Sequence, residues 1–204
     1  MSSEPMRDPR TDPLLTPANS ALVIIDYQPN QIKAVKSMDV ELLERNIISV
    51  ARLGKAYGLP IVLSTVNADA GQGRTFPALK DVLSDNVELD RTQINSWEDV
   101  EFRKAVEATG RKKLIMCALW TEICLAFPAL DALRAGYEVF PVVDAVAGTS
   151  LEAHRAGLER IVQAGAQPIS WVSLAGELQR DWARKKTVPA VIDIMITSRF
   201  AKGI

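Results

Sequence analysis

Two cysteines, one histidine and twenty-five carboxylates are spread over 204 residues, so any chemistry here draws on a short stock of groups. Cys124 is the best placed. It follows the apolar run LIMCAL (114–119), about the length of a buried strand, and lies in TEIC. There Thr121 suits a helix N-cap and Glu122 puts a negative charge in the first turn. Cys124 thus falls near the third residue of a helix, just past the carboxyl end of a strand. Unpaired backbone N–H groups and the positive end of the helix dipole predict a thiolate at that position. The competing reading is a small buried helix residue, since free cysteine is among the most buried types. Cys117 lies inside the apolar run and reads as core.

Asp26 ends the apolar run ALVIID, on the same edge of the sheet as Cys124, the edge where ligands bind in open parallel sheets. A carboxylate there is either a base or a loop cap. Arg91 ends the weaker strand NVELDR in the same way, as an ion-pair partner or as the cation that keeps Asp26 and a thiolate charged. His154, in EAHRAGLERIVQAGAQ, lies on a helix and reads as a helix-edge residue rather than a catalytic one. A papain-like Cys-His pair would have to use it. By elimination, a nucleophilic enzyme built from this chain is Cys124 with a carboxylate base, and Asp26 is the best placed.

Other classes drop out. One histidine, two separated cysteines and no HExxH spacing argue against a metal site. No GxGxxG follows the first strand and no GxxxxGK[ST] occurs, so no cofactor is expected. A net charge of −1 and interspersed charges give no nucleic-acid footprint. The N-terminus lacks an apolar signal segment, and no apolar run nears the ~20 residues that span a bilayer, so no membrane partner and a reducing cytoplasm are expected.

These groups need a frame. Strands are expected at 21–26, 59–65, 86–91, 114–119, 137–143 and 166–171, with amphipathic helices between them. That alternation predicts right-handed βαβ units in a three-layer α/β/α sandwich around a doubly wound, mainly parallel six-stranded sheet. Residues 1–18 read as an N-terminal arm and 19–185 as the domain. The stretch 186–204, with VPAVIDIMITSRF, is apolar enough to pack on the domain or on a neighbouring subunit.

Several segments together resemble the isochorismatase-like cysteine hydrolases, and within them the YcaC-type group. They are ALVIIDYQ from Ala21, RTQINSWED from Arg91, KAVEATGRKKLI from Lys104, WTEICLAFPALDALRAGYEVF from Trp120, HRAGLERIVQAGAQ from His154 and ELQRDW from Glu177. The resemblance implies a Rossmann-like fold and hydrolysis of an amide-type C–N bond in a small molecule without a metal. Asp26 would be the general base and Cys124 the nucleophile. It also implies a cis Leu119–Trp120 peptide, with the N–H groups of Trp120 and Cys124 forming an oxyanion hole, and a homo-oligomer. Two positions depart from the family pattern. Arg91 stands where the family has lysine: its fork can hold Asp26 and orient a substrate oxygen, but it gives up no proton. Trp120 is bulkier than the expected aliphatic residue and either narrows the pocket or walls it. The loop TVNADAGQGR lacks the histidines of metal-using nicotinamidases, which disfavours nicotinamide. The rival readings are a non-catalytic oligomeric scaffold of the same fold, and a thiol redox protein. The latter lacks a resolving cysteine.

Overall fold

The computed structural model describes residues 7–198; the ends of the expected arm and C-terminal segment, 1–6 and 199–204, lie outside the described residues. The chain runs β1 (Ser20–Ile25), α1 (Pro29–Lys33), α2 (Val40–Ala56), β2 (Ile61–Val66), α3 (Pro77–Val82) and β3 (Glu88–Arg91). It continues with α4 (Val100–Ala108), β4 (Lys113–Ala118), α5 (Ala126–Arg134), β5 (Glu138–Pro141), α6 (Leu151–Gln163), α7 (Trp171–Gln179) and α8 (Val188–Thr197). A single π-helical turn, Thr121–Leu125, leads into α5.

Among the described residues the sheet has five strands in the order β3-β2-β1-β4-β5, every pair parallel. The central strands β1 and β4 are buried along their whole length, which is why they read as continuous apolar runs rather than alternating ones. Helix α2 packs with α3, α7 and α8, while α5 packs with α6, and together they cover the sheet. The α/β sandwich is as expected; the sixth strand is not. Of 166–171 only Ile169 forms a bridge, to Val142. Gln167 N and Ile169 N donate to Val139 O at 2.8 Å and Pro141 O at 3.0 Å, and Val143 N donates to Ile169 O at 2.8 Å, but the pairing stops there because Ser170 already caps α7 by accepting from Ser173 N at 3.1 Å.

Local chemistry sets the element ends. Asp39 accepts from Leu42 N at 2.8 Å to start α2, and Ser150 accepts from Ala153 N at 3.0 Å to start α6. Residues 7–18 lie along the chain's own α7: Leu15 N donates to Glu177 at 2.6 Å, and Arg180 donates to Asp12 at 3.0 Å. Helix α8 buries Val191 and Ile194, and leaves Ile192 and Ile196 exposed.

The strand order reverses between β1 and β4. Their carboxyl ends therefore open side by side, which is the crevice where ligands bind in such sheets.

Candidate active site

Asp26 leaves the end of β1 with φ = 63°, a conformation open to aspartate but costly for most side chains. Its N–H still bonds Ser64 O at 2.9 Å, so the sheet ladder holds it in place. The turn that follows is tied down by Gln28, fully buried, whose side-chain amide pairs with Val66 as a neighbouring strand would. Its Oε1 accepts from Val66 N at 3.0 Å and its Nε2 donates to Val66 O at 3.0 Å and to Gly73 O at 2.5 Å. Tyr27 donates its hydroxyl hydrogen to Ala145 O, tying the same turn to the loop after β5.

Arg91 reaches Asp26 from the end of β3, across β2. Nη1 and Nη2 bond the two carboxylate oxygens at 2.7 Å each, a bidentate pair. Nη1 also reaches Ser64 Oγ at 3.1 Å and Thr65 O at 2.9 Å, and Nη2 reaches Ile94 O at 3.3 Å. The pair is sealed from solvent: the Arg91 side chain is 1% exposed and that of Asp26 0%. The fork therefore does the first of its two expected tasks and not the second. It holds Asp26, but its Nη hydrogens are all engaged by the protein.

Cys124 sits in the π turn at the carboxyl end of β4, 8% exposed, and its thiol shares a hydrogen bond with Asp26. The backbone N–H of Trp120 is aimed at the same sulfur. The Leu119–Trp120 peptide is cis. The structure thus gathers Asp26, Arg91, Cys124 and the Trp120 amide at one point.

The expected thiolate is corrected. Burial pushes the Cys124 thiol well above its ordinary range, and the Asp26 charge and hydrogen bond push it further; Arg91 and the Trp120 N–H pull the other way and lose. The dipole argument assumed an ordinary α-helical N-terminus open to water, whereas the thiol sits in a wide turn, desolvated and against a carboxylate. Asp26 is raised too, because desolvation outweighs the Arg91 hydrogen bonds. Both shifts favour a protonated thiol beside Asp26.

The turn carrying Cys124 is braced from behind. Thr121 N bonds Ala147 O at 2.9 Å, and Thr121 Oγ1 meets His154 Nδ1 at 2.8 Å. Glu122 accepts from Thr149 N at 3.0 Å and from Thr149 Oγ1 at 2.7 Å. Gly157 on α6 lies against the backbone of Thr121 and Glu122, so closely that a Cβ there would be 2.8 Å from Glu122 Cα. In front, the Trp120 indole N–H donates to Gln31 O at 2.8 Å, which fixes the ring across the turn and α1. His154 is the helix-edge residue expected. Its contact with Thr121 was hidden because it joins residues 33 apart. The clasp made by Gln28 and the acceptors Ser64 and Ile94 left no sequence signal either. Among the described residues, no group of three or more His, Cys, Asp or Glu side chains is arranged to hold a metal ion, and no helix is long and apolar enough to cross a membrane.

The chain has known relatives. The chain is 37% identical over 166 residues to the probable hydrolase YcaC of Escherichia coli, covering 80% of this chain and 79% of that protein. The crystal structure of the E. coli YcaC gene product, an octameric hydrolase of unknown specificity, superposes with a TM-score of 0.81 at 30% identity, over 93% of this chain and 98% of that one. YcaC from Pseudomonas aeruginosa, solved with hexane-2,5-diol and covalent acrylamide, gives 0.82 at 30% identity, over 92% and 98%. Residues 20–173 match the isochorismatase domain model, and with these likenesses the chain belongs to the isochorismatase family of hydrolases.

Proposed function

We propose that the protein hydrolyses an amide or related C–N bond of a small molecule through a covalent Cys124 intermediate, without a metal. The observation that carries this reading is the thiol hydrogen-bonded to a carboxylate that Arg91 clamps at 2.7 Å. Such a pair is a nucleophile already joined to its base.

In the first half, Sγ attacks the carbonyl carbon while Asp26 takes the thiol proton. The C–S bond forms and the carbonyl π pair moves onto oxygen. The Trp120 and Cys124 N–H groups receive that oxyanion, with Trp120 N–H supported in this role by its aim at the sulfur. Protonated Asp26 then gives its proton to the departing nitrogen, the C–N bond breaks and a thioester remains. In the second half, Asp26 takes a proton from water as it attacks the thioester. The C–S bond breaks, the acid leaves, and Asp26 returns the proton to sulfur. Arg91 keeps its charge throughout and holds Asp26 in line.

A small uncharged amide panel assayed for released amine tests the reading. Wild type should turn over at least one member through a thioester visible by intact mass. Cys124→Ala should lose at least about a thousandfold in kcat/KM. Full turnover by Cys124→Ala would overturn the proposal. A non-ionised, nearly closed thiol also fits a scaffold that has lost its activity, and absence of both turnover and acyl-enzyme across the panel would favour that reading.

As the E. coli relative is an octamer, we also propose a homo-oligomer for this chain, with exposed Ile192 and Ile196 of α8 as apolar surface available for contact. The two unpaired cysteines suit a reducing cytoplasm.

A further inference from the structure

The charges that act most on the Cys124 sulfur are those of Asp26 and Arg91, and each is the other's partner. A site that anchors a substrate carboxylate needs a cation with N–H donors to spare. Arg91 has none at its Nη fork, and its one unpaired donor, the Nε–H, is buried with the rest of a side chain that is 1% exposed. Nη1 is shared among Asp26, Ser64 Oγ and Thr65 O, and Nη2 between Asp26 and Ile94 O. Both charged side chains are closed to solvent, so a substrate ion would have to break their pairing to reach either. An anion brought to the sulfur would meet the Asp26 carboxylate with its cation already committed. A cation would face Arg91 in the same position. Either is a charge taken out of water without a partner.

Two further polar side chains beside the turn are engaged within the protein. Tyr27 donates to Ala145 O and the Trp120 indole N–H to Gln31 O, which leaves the Trp120 ring as an apolar wall. The Trp120 backbone N–H faces the sulfur as one neutral donor, suited to one carbonyl oxygen.

We propose that the part of the substrate entering this site carries no charge: the substrate is an amide with a small uncharged acyl portion, and carboxylate-bearing or ammonium-bearing analogues are rejected. For the word substrate this rests on the hydrolase reading above; the selectivity itself does not. Iodoacetamide and iodoacetate share a leaving group and nearly a shape, and differ by one charge. Second-order alkylation rates at Cys124, separated from Cys117 by peptide mapping, are to be measured on the full folded chain and on the same chain unfolded in denaturant.

The iodoacetate-to-iodoacetamide rate ratio at Cys124 is expected to be at least tenfold lower in the folded chain than in the unfolded one. It should hold in high salt, which screens surface charges and leaves buried ones. The net charge of −1 is too small for a general repulsion of anions to mimic this. An equal or higher ratio overturns the proposal, and so does a difference that vanishes in salt. No labelling by iodoacetamide after overnight exposure at about pH 9, where free thiols ionise, would mean a site closed to small neutral molecules and would overturn it too. Alkylation needs no turnover. A chain that hydrolyses no amide can therefore still show this selectivity, and the Cys124→Ala turnover assay bears on the hydrolase reading alone.

Discussion

At Asp26, burial and the Arg91 guanidinium pull the carboxyl in opposite directions, and burial wins. A base of raised proton affinity is better matched to a thiol, so the same desolvation that keeps Cys124 neutral at rest improves the group that must take its proton. This gives a prediction with two opposite signs. Asp26→Asn removes the negative charge that raises Cys124 and leaves only a neutral, weaker acceptor, so the thiol's titration midpoint should fall, by about a unit or more, while turnover is lost. Ultraviolet thiolate absorbance and pH-dependent alkylation mapped to Cys124 would measure it. A midpoint that stays or rises would remove Asp26 from its place beside the sulfur. Both residues were legible in the sequence because Asp26 ends one apolar run and Cys124 opens the helix just past another, and strand ends on one edge converge. The protonation state was not legible, since it depends on how completely a turn, an ion pair and an indole ring exclude water.

The π turn at Thr121–Leu125 is the element that departs from a simple strand-to-helix reading. Its apolar lead-in and the Thr-Glu pair marked where a helix starts. The wider turn is invisible in such signals, because it is imposed by contacts at long sequence distance: Ala147 O on Thr121, Thr149 on Glu122, and α6 behind both. Gly157 is where α6 touches the turn. In Gly157→Ala the new Cβ would lie 2.8 Å from Glu122 Cα, 3.0 Å from Glu122 N and 3.1 Å from the Thr121 carbonyl carbon. These are backbone atoms, which have no rotamer to yield. The substitution should cost about 1–3 kcal/mol in stability and lower kcat more than it changes KM, read from denaturant midpoints and steady-state kinetics. Gly176→Ala on α7 is the control: a Cβ there meets nothing within 4 Å, and stability should rise by about 0.5–1 kcal/mol. Equal effects from the two would mean that α6 does not set the turn.

Across the whole molecule, the α/β architecture and the placing of Asp26, Arg91 and Cys124 at the ends of β1, β3 and β4 followed from periodicity and from where runs end. The sixth strand was overestimated in length because an extended apolar segment carries the same signal whether its pairing runs on or stops after one bridge, as it does at Ile169. The closed interior has a consequence for alkaline stability. Burial raises the proton affinity of Cys117, Cys124 and Tyr27 in the folded chain. Above the unfolded values, about 8.5 for cysteine and 10 for tyrosine, the unfolded chain releases protons that the folded one keeps. The contribution of these three groups to stability is therefore full below about pH 8.5 and is lost progressively above it. Urea midpoints taken from neutral pH upward would show this, and a flat profile would mean that the folded chain gives up these protons as readily as the unfolded one. The sealed Asp26–Arg91 pair would also shape the catalytic cycle proposed above. Each step moves one proton and one negative charge among Asp26, the sulfur and the substrate oxygen beside a fixed positive charge, so the enclosure holds the same sum of charges from start to finish. No counter-ion has to enter or leave as bonds change, and the chemistry is insulated from the ionic composition of the medium outside.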